Sequence, residues 1–124
     1  MKKTNKIVVP LVLLVVIAVV GWLATRKAEP GKYDAFAQCL KTSGATFYGA
    51  FWCPHCQDQK KQFGSSVDLL PYVECSTPDG QDQTQICKDK KIQGYPTWEF
   101  KDGSRLEGVA SFADLASKSG CALP

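Results

Sequence analysis

The beginning of the chain is one apolar segment between basic residues. Residues 7–23 contain no charge, with three lysines before them and Arg26 and Lys27 after them. As a helix, this segment is about 25 Å long, near the lower limit for crossing a bilayer. A cleaved signal peptide is the alternative, but its apolar region usually spans about 7–15 residues and ends at a small-x-small site, which the bulky Trp22 fits poorly. We therefore expect an uncleaved transmembrane signal anchor over residues 7–24.

A break in the hydrophobic pattern separates this anchor from the rest of the chain. Pro30 and Gly31 interrupt any helix, so we expect a linker over residues 25–32 and a folded domain over residues 33–124. Residues 1–6 then form a short cytoplasmic N-terminus. The basic residues on the two sides of the anchor are too similar in number to fix its orientation.

The first half of the domain alternates helix and strand patterns. Residues 33–43 place side chains at i, i+3, i+4 and i+7, the spacing of a helix with one buried face. Residues 45–52 form a continuous apolar run, typical of a central strand buried on both faces. Pro54 suits the first position of a helix that continues to about Phe63, because its missing N–H would be unpaired there.

The second half of the domain adds a strand, a helix, a hairpin and a closing helix. We expect them over residues 72–76, 83–91, 97–100 with 105–109, and 111–119, respectively. Ser111 suits the N-cap of the closing helix, with Asp114 three residues later. This order predicts a mixed α/β domain, a central sheet flanked by helices.

Composition and charge narrow the class of protein. The chain has 124 residues, 44% of them hydrophobic and 22% charged, which fits one globular domain and excludes disordered or collagenous chains. Residues 1–32 carry six Lys or Arg against one Glu, whereas the domain carries nine basic and eleven acidic side chains. A nucleic-acid-binding domain concentrates positive charge on its folded part, so we exclude nucleic acid as a partner.

All six cysteines lie in the domain, an even number that favours an oxidising compartment over the cytosol. The cysteines therefore also indicate the orientation of the anchor, with the N-terminus inside and the domain exported. We expect a single-pass protein of the cell membrane whose domain lies on the periplasmic, lumenal or extracellular side.

The sharpest chemical signal is the pair Cys53 and Cys56 at the start of the predicted second helix. Cysteines three residues apart share one helix face, and the first lies beside unpaired backbone N–H groups that favour an anion. A stabilised thiolate is both the nucleophile and the leaving group in disulfide exchange. We expect Cys53 to be an exposed, reactive thiol and Cys56 to be less accessible, and the motif implies no cofactor.

His55, between the two cysteines, bears on the direction of the exchange. It can stabilise the Cys53 thiolate and shift the couple towards oxidising its substrates, with a solvent-exposed loop histidine as the alternative. A zinc site usually needs two paired clusters, and the chain has a single C-x-x-C. Haem attachment needs a histidine directly after the second cysteine, where this chain has Gln57. A purely structural disulfide between Cys53 and Cys56 would close too short a loop to stabilise the fold much.

The residues around this motif resemble the thioredoxin superfamily. FYGAFWCPHC, followed some forty residues later by GYPT, is similar to the C-x-x-C motif and the facing cis-proline loop of that superfamily. Together with YVECS, CKD and GYPTWEF, it most resembles the thioredoxin-like domain of vitamin K epoxide reductase homologues, over roughly residues 36–120. CPHC is also the motif of periplasmic dithiol oxidants.

The resemblance implies roles for residues outside the motif. Pro96 would be the cis-proline, and the backbone of Tyr95 would pair with an extended substrate; an ordinary trans turn proline is the alternative. Trp52, Tyr95 and Val109 would form an apolar collar around the sulfurs, or else belong to the core. Thioredoxins carry a buried acid six residues before the first cysteine, and here that position is Phe47, so the usual proton acceptor is absent.

The other four cysteines allow three pairings, among which the sequence alone does not choose. The resemblance implies Cys75 with Cys87, as a structural bridge or as a second redox pair. Cys39 then remains with Cys121, as a structural bridge or as free buried thiols.

The resemblance and the motif together predict a membrane-anchored thiol-disulfide oxidoreductase. We expect it to pass disulfides to cysteine-containing exported proteins, as an oxidant or isomerase, and to be reoxidised by a membrane protein similar to vitamin K epoxide reductase. The alternatives are an anchored reductase, for example one serving cytochrome maturation, and a non-catalytic, zinc-holding interaction module.

Overall fold

A computed structural model describes residues 7–26 and 29–124 of the chain. Its first element is the apolar helix α1 (Val8–Thr25), in which no residue is buried. This helix is long and apolar enough to cross a membrane, a property that N-terminal signal sequences share. The N-terminus expected at residues 1–6, and part of the linker expected at 25–32, lie outside the described residues.

Four strands and four more helices follow, with one short 3-10 helix. The helices are α2 (Asp34–Thr42), α3 (Pro54–Phe63), α4 (Gln85–Asp89) and α5 (Phe112–Ser119), and the 3-10 helix is Gly64–Leu69. The strands are β1 (Thr46–Gly49), β2 (Tyr72–Glu74), β3 (Thr97–Glu99) and β4 (Arg105–Glu107).

The strands form one mixed sheet in the order β2-β1-β3-β4. β1 runs parallel to β2, with Gly49 opposite Glu74, and antiparallel to β3, with Phe47 opposite Trp98. The connection from β1 to the parallel β2 contains α3, as a crossover between parallel strands requires. β3 and β4 form the predicted hairpin. The predicted mixed α/β, thioredoxin-like fold is therefore confirmed.

The core is built around β1, in which three consecutive residues are buried, so both faces of the strand are covered. The Phe47 ring stacks on Trp98 with 4.9 Å between centroids, and it meets the edge of Tyr72 at 5.1 Å. Phe63 of α3 and Leu115 of α5 are fully buried in the same cluster. This packing fixes α3 against the sheet and so fixes the start of that helix.

Several elements are shorter than the sequence predicts, β1 and α4 the most, and the 3-10 helix was not predicted. β1 ends at Gly49 because the following residues turn into α3, with the Cys53 N–H donating to the Ala50 carbonyl at 3.0 Å. α4 fills only the middle of the expected range 83–91. The 3-10 helix has no helical hydrophobic repeat by which a sequence could reveal it.

The start of the closing helix agrees with the sequence. The Ser111 hydroxyl accepts the N–H of Asp114 at 3.1 Å and donates to the Asp114 carboxylate at 2.6 Å. This is the predicted N-cap, with the acid three residues later completing the contact.

Candidate active site

The helix α3 begins at the C-x-x-C motif. Cys53 is the N-cap residue, with an extended backbone, and Pro54 occupies the first helical turn. The backbone N–H of Cys56 donates to Cys53 Sγ at 3.4 Å, so the sulfur occupies the place of an N-cap oxygen. Both the donor and the positive end of the helix dipole stabilise an anion at this position.

Cys53 is buried, so the prediction of an exposed thiol is wrong. The residue is only 5% exposed. Its Sγ lies 3.6 Å from the carbonyl oxygen of Tyr95, to which the thiol donates. The loop that carries Tyr95 and Pro96 thus covers a sulfur that the sequence alone places at the free end of a helix.

Cys56 lies one turn into α3 and is fully buried. Burial raises the pKa of its thiol from 9.0 to about 12, against a smaller opposing effect of a hydrogen bond from the Ala50 backbone. A Cβ at Gly49 would lie 3.0 Å from the Cys56 sulfur and 2.8 Å from the ring of Tyr72, so glycine provides the space that this sulfur fills. Reduced Cys56 is therefore a neutral thiol at physiological pH.

The loop that faces the motif contains a cis peptide bond between Tyr95 and Pro96. The Tyr95 hydroxyl accepts a hydrogen bond from Gln83 Nε2 at 2.6 Å, and its ring meets Trp52 edge-on with 6.0 Å between centroids. Trp52 Nε1 in turn donates to the Ser76 hydroxyl at 2.9 Å. Trp52 and Tyr95 therefore lie together beside the cysteine pair.

Two of the three residues expected in an apolar collar are on the surface, whereas the third, Tyr95, is half-buried against the core. Trp52 is 53% exposed and Val109 is 41% exposed. Phe51, which sequence reasoning did not select, is also about half exposed. Phe51 belongs to a continuous apolar run of the kind that is typical of a buried strand, so the sequence pattern predicts it to be buried. Phe51 and Trp52, here called the apolar rim, give the site an exposed aromatic surface.

His55 lies on the exposed side of the first turn of α3. Within the described residues it makes no hydrogen bond to Cys53, whose sulfur receives the N–H of Cys56 instead. A contribution of the His55 imidazole to the chemistry of Cys53 stays a prediction.

Three polar residues lie near Cys56 that sequence reasoning did not select for the site. The Tyr72 hydroxyl donates to Glu74 Oε2 at 2.8 Å, and Glu74 Oε1 accepts two backbone N–H groups from the neighbouring loops. Lys60 Nζ lies 3.6 Å from the centroid of the Tyr72 ring. Burial and the hydrogen bond to Glu74 raise the pKa of Tyr72. The spacing of these three residues in the sequence is the signal that could have revealed them. Tyr72 and Glu74 are alternate residues of one strand, and Lys60 lies one helical turn beyond Cys56.

Gln59, another residue not predicted, ties α3 to the segment before α5. It is fully buried. Its Oε1 accepts the N–H of Ala110 at 2.8 Å and the indole N–H of Trp98 at 3.2 Å, and its Nε2 donates to the Ala110 carbonyl at 3.2 Å. A polar residue in a helix ordinarily indicates an exposed face, so the pattern does not reveal this contact.

The remaining four cysteines form two disulfide bonds. Cys39 of α2 is bonded to Cys121 across 82 positions, here called the N–C bridge. Cys75, next to β2, is bonded to Cys87 of α4 across 12 positions, here called the β2–α4 bridge. These are the two pairs that the resemblance implies.

Cys53 and Cys56 are thiols in this structure. Among residues 7–26 and 29–124, no three His, Cys, Asp or Glu side chains are grouped so that they could hold a metal ion.

Two curated proteins match most of the domain in sequence, although no family profile matches the chain. Thiol-disulfide oxidoreductase LTO1 of Arabidopsis thaliana is 45% identical over 94 residues, which cover 72% of this chain. Thioredoxin domain-containing protein 5 homolog of Drosophila melanogaster is 33% identical over 91 residues, 68% of this chain. The chain spans only 24% and 21%, respectively, of the length of these proteins.

Among solved structures, a crystal structure of Malassezia sympodialis thioredoxin (Mala s 13) aligns with 76% of this chain and 96% of its own, at 18% identity and a TM-score of 0.42. The fold assignment rests instead on the strand order and on the cis-proline loop beside the C-x-x-C motif. These features show a thioredoxin-like fold, and the two sequence matches show that its domain is similar to part of a thiol-disulfide oxidoreductase and of a thioredoxin domain-containing protein.

Proposed function

We propose that this chain is a membrane-anchored thiol-disulfide oxidoreductase that acts outside the cytoplasm and passes disulfides to exported proteins. The observation that carries the proposal is the arrangement of its two thiols: Cys53 Sγ accepts the Cys56 N–H at the start of α3, and Cys56 is fully buried one turn behind it. The similarity to thiol-disulfide oxidoreductase LTO1 supports the reaction class.

Two further features support the location. The helix α1 is long and apolar enough to serve as the anchor. The N–C bridge and the β2–α4 bridge favour an oxidising compartment for the domain, because such bonds persist outside the cytosol.

In the forward reaction, a substrate thiolate attacks Cys53 of the Cys53–Cys56 disulfide. The bond between the two cysteines breaks, a bond between Cys53 and the substrate forms, and Cys56 leaves with the electron pair and takes up a proton. A second substrate thiolate then attacks the first substrate sulfur, and Cys53 departs as a thiolate. The substrate loses two electrons, which the cysteine pair gains.

The surroundings of Cys53 suit this exchange. The N–H donor of Cys56 stabilises Cys53 as a leaving thiolate. The backbone of Tyr95, in contact with the sulfur, can pair with an extended substrate beside Pro96. The exposed rings of the apolar rim, Phe51 and Trp52, can contact apolar side chains of the substrate. A protonated His55 would add positive charge beside them.

Reoxidation requires a partner that accepts two electrons, and we propose a membrane protein similar to vitamin K epoxide reductase. The partner's disulfide would be attacked by the Cys53 thiolate, and Cys56 would then close the pair and release the partner as a dithiol. Anchoring both proteins in one membrane raises their effective concentration, which supports a partner of this kind.

The test is a trapping experiment on the full chain in its own membrane. The Cys56→Ala variant keeps Cys53 but cannot resolve mixed disulfides, so bound proteins stay linked to it. We expect adducts with exported cysteine-containing proteins and with a membrane oxidoreductase, all released by reductant and all lost in the matched Cys53→Ala control. Absence of adducts at Cys53 contradicts the proposal, as does capture of cytochrome maturation factors alone.

The direction of electron flow is measured separately, by equilibrating the pair with glutathione. A reduction potential of about −120 to −180 mV supports the oxidant or isomerase, whereas a value near −270 mV supports a reductase. Bound zinc, together with a Cys53 that resists alkylation in the reduced chain, would instead support an interaction module.

A further inference from the structure

The proposed reaction leaves one proton without an acceptor. Cys56 must lose its proton whenever it closes the disulfide with Cys53, and it must gain one whenever it leaves. Burial raises the pKa of Cys56 to about 12, so only about one thiol in 10⁵ is ionised at pH 7. Phe47, where a thioredoxin would have an acid, stacks on Trp98 and carries no proton acceptor.

The strand β2 brings a tyrosine and a glutamate to Cys56. Gly49 of β1 pairs with Glu74 of β2, and Tyr72 shares a face of the sheet with Glu74 because the two are alternate residues. The Tyr72 ring and the Cys56 sulfur both lie against Gly49, at 2.8 and 3.0 Å from the position of a Cβ there. The Tyr72 hydroxyl donates to Glu74 Oε2 at 2.8 Å. The ring edge of Tyr72 therefore lies near the buried thiol, and the hydroxyl on that ring is hydrogen-bonded to Glu74.

The titratable groups around Cys56 come from two elements. Cys53, at the N-cap of α3, and Lys60 on α3 act on the Cys56 thiol, and on β2 the Tyr72 hydroxyl is affected by both Cys56 and Glu74. The charge of Lys60 lowers the pKa of Cys56, but burial has the larger effect. Burial also raises the pKa of Tyr72, so its hydroxyl keeps a proton and suits a relay. Glu74 is half-buried on the edge strand, where it can exchange a proton with water.

We propose that Tyr72 and Glu74 exchange the proton of Cys56, with Tyr72, whose ring lies against Gly49 together with the sulfur, as the relay and Glu74 as the group that receives the proton from Tyr72. This inference rests on the proposed function. When the disulfide closes, Cys56 passes its proton to the Tyr72 hydroxyl as that hydroxyl passes its own to the Glu74 carboxylate. The Cys56 thiolate attacks Cys53 Sγ, the new S–S bond forms, and the partner's sulfur leaves with the electron pair. In the opposite direction the proton returns to the leaving Cys56.

Two substitutions separate proton exchange from packing. Glu74→Gln keeps an oxygen that can accept the two backbone N–H groups but removes the basic carboxylate. Tyr72→Phe keeps the ring against Gly49 and removes the hydroxyl. The matched controls are Glu99→Gln on β3, where the carboxylate binds a lysine and an arginine, and Tyr48→Phe on β1.

In the assay, the reduced full chain in detergent micelles is mixed with the chromogenic disulfide dithiobis(nitrobenzoate). Cys53 attacks the reagent and releases a first thionitrobenzoate, and Cys56 then displaces the second from Cys53. The two phases report the two sulfurs separately, and Cys56→Ala should show the first phase only. The rate of the second phase is measured from pH 6 to pH 10.

We expect both variants to slow the second phase about tenfold or more at pH 7, in the range of general acid–base effects. The deficit should shrink towards pH 10, where hydroxide removes the proton directly. The first phase, and both phases in the controls, should stay within about twofold of wild type. The inference is overturned if the second phase of either variant matches wild type, if both phases slow together, or if the deficit is the same at every pH.

Failure of the proposed function gives a different result. A wild-type chain that releases one thionitrobenzoate or none does not close a disulfide between Cys53 and Cys56. If Glu74→Gln fails to fold, as judged by circular dichroism, Tyr72→Phe alone decides the inference by the same criteria.

Discussion

The buried thiol of Cys56 should make the stability of the reduced protein depend on pH in the alkaline range. The pKa of this thiol is about 12 in the folded chain, against 9.0 for an ordinary cysteine. Above pH 9 the unfolded chain therefore loses a proton that the folded chain retains, and this favours unfolding. The contribution is fully present below pH 9 and is lost as the pH rises towards 12.

The magnitude follows from the difference between the two pKa values. Each pH unit between them removes about 1.4 kcal/mol from the free energy of unfolding. Between pH 7 and pH 10.5, where the unfolded thiol is almost fully ionised and the folded one is not, the loss is about 2 kcal/mol.

The assay is urea unfolding of the full chain in micelles, followed by tryptophan fluorescence at several pH values from 7 to 10.5. Lysines and tyrosines also titrate in this range, so the quantity compared is the slope of unfolding free energy against pH. We expect the reduced wild-type chain to lose about 2 kcal/mol more over this range than Cys56→Ala or the chain with an oxidised Cys53–Cys56 pair. Parallel slopes would refute the reasoning, because they would mean that Cys56 ionises as easily in the folded chain as in the unfolded one.

The remaining predictions concern contacts that hold the site in place. Gln59→Leu leaves three buried groups unpaired and should lower the free energy of unfolding by at least about 3 kcal/mol. The control Gln57→Leu, at an exposed position of the same helix, should cost only about 0.5 kcal/mol, and similar losses for the two variants in urea unfolding would contradict the contact. Replacing both cysteines of the N–C bridge by serine should cost about 4.5 kcal/mol, and the same change at the β2–α4 bridge about 3 kcal/mol, because the first closes a loop of 82 positions and the second one of 12. The reverse order in urea unfolding would show that chain entropy does not govern the two bridges.

The elements that the sequence predicts well are those with a local physical cause. Pro54 fits only the first turn of a helix, and α3 begins there. Ser111 caps α5 because its hydroxyl reaches an N–H three residues away. The apolar run 45–52 indicates the central strand, since a strand covered on both faces buries consecutive residues.

The features that the sequence does not reveal depend on contacts between distant segments. Cys53 is covered by the carbonyl of Tyr95, 42 positions away, which no local pattern contains. Gln59 is buried because Ala110, 51 positions away, supplies backbone partners for its amide. Glu74 belongs to a strand of three half-buried residues, whose short pattern distinguishes neither face. In each case the partner, rather than the residue itself, decides burial.

Phe47, at the position where the resemblance to thioredoxins leads one to expect an acid, affects both the core and the site. The ring of Phe47 joins Trp98 and Tyr72 in one aromatic cluster across three strands, so the centre of the sheet contains no buried charge near Cys56 on β1. A carboxylate on that central strand would have to exchange its proton through the core, whereas β2 is the edge of the sheet and Glu74 is partly open to water. Moving the acid to the edge therefore keeps the core apolar and still gives the thiol a route for its proton. If the Tyr72 and Glu74 variants prove neutral, Glu74 does not take the place of the acid, and Phe47 then serves the packing of the core alone.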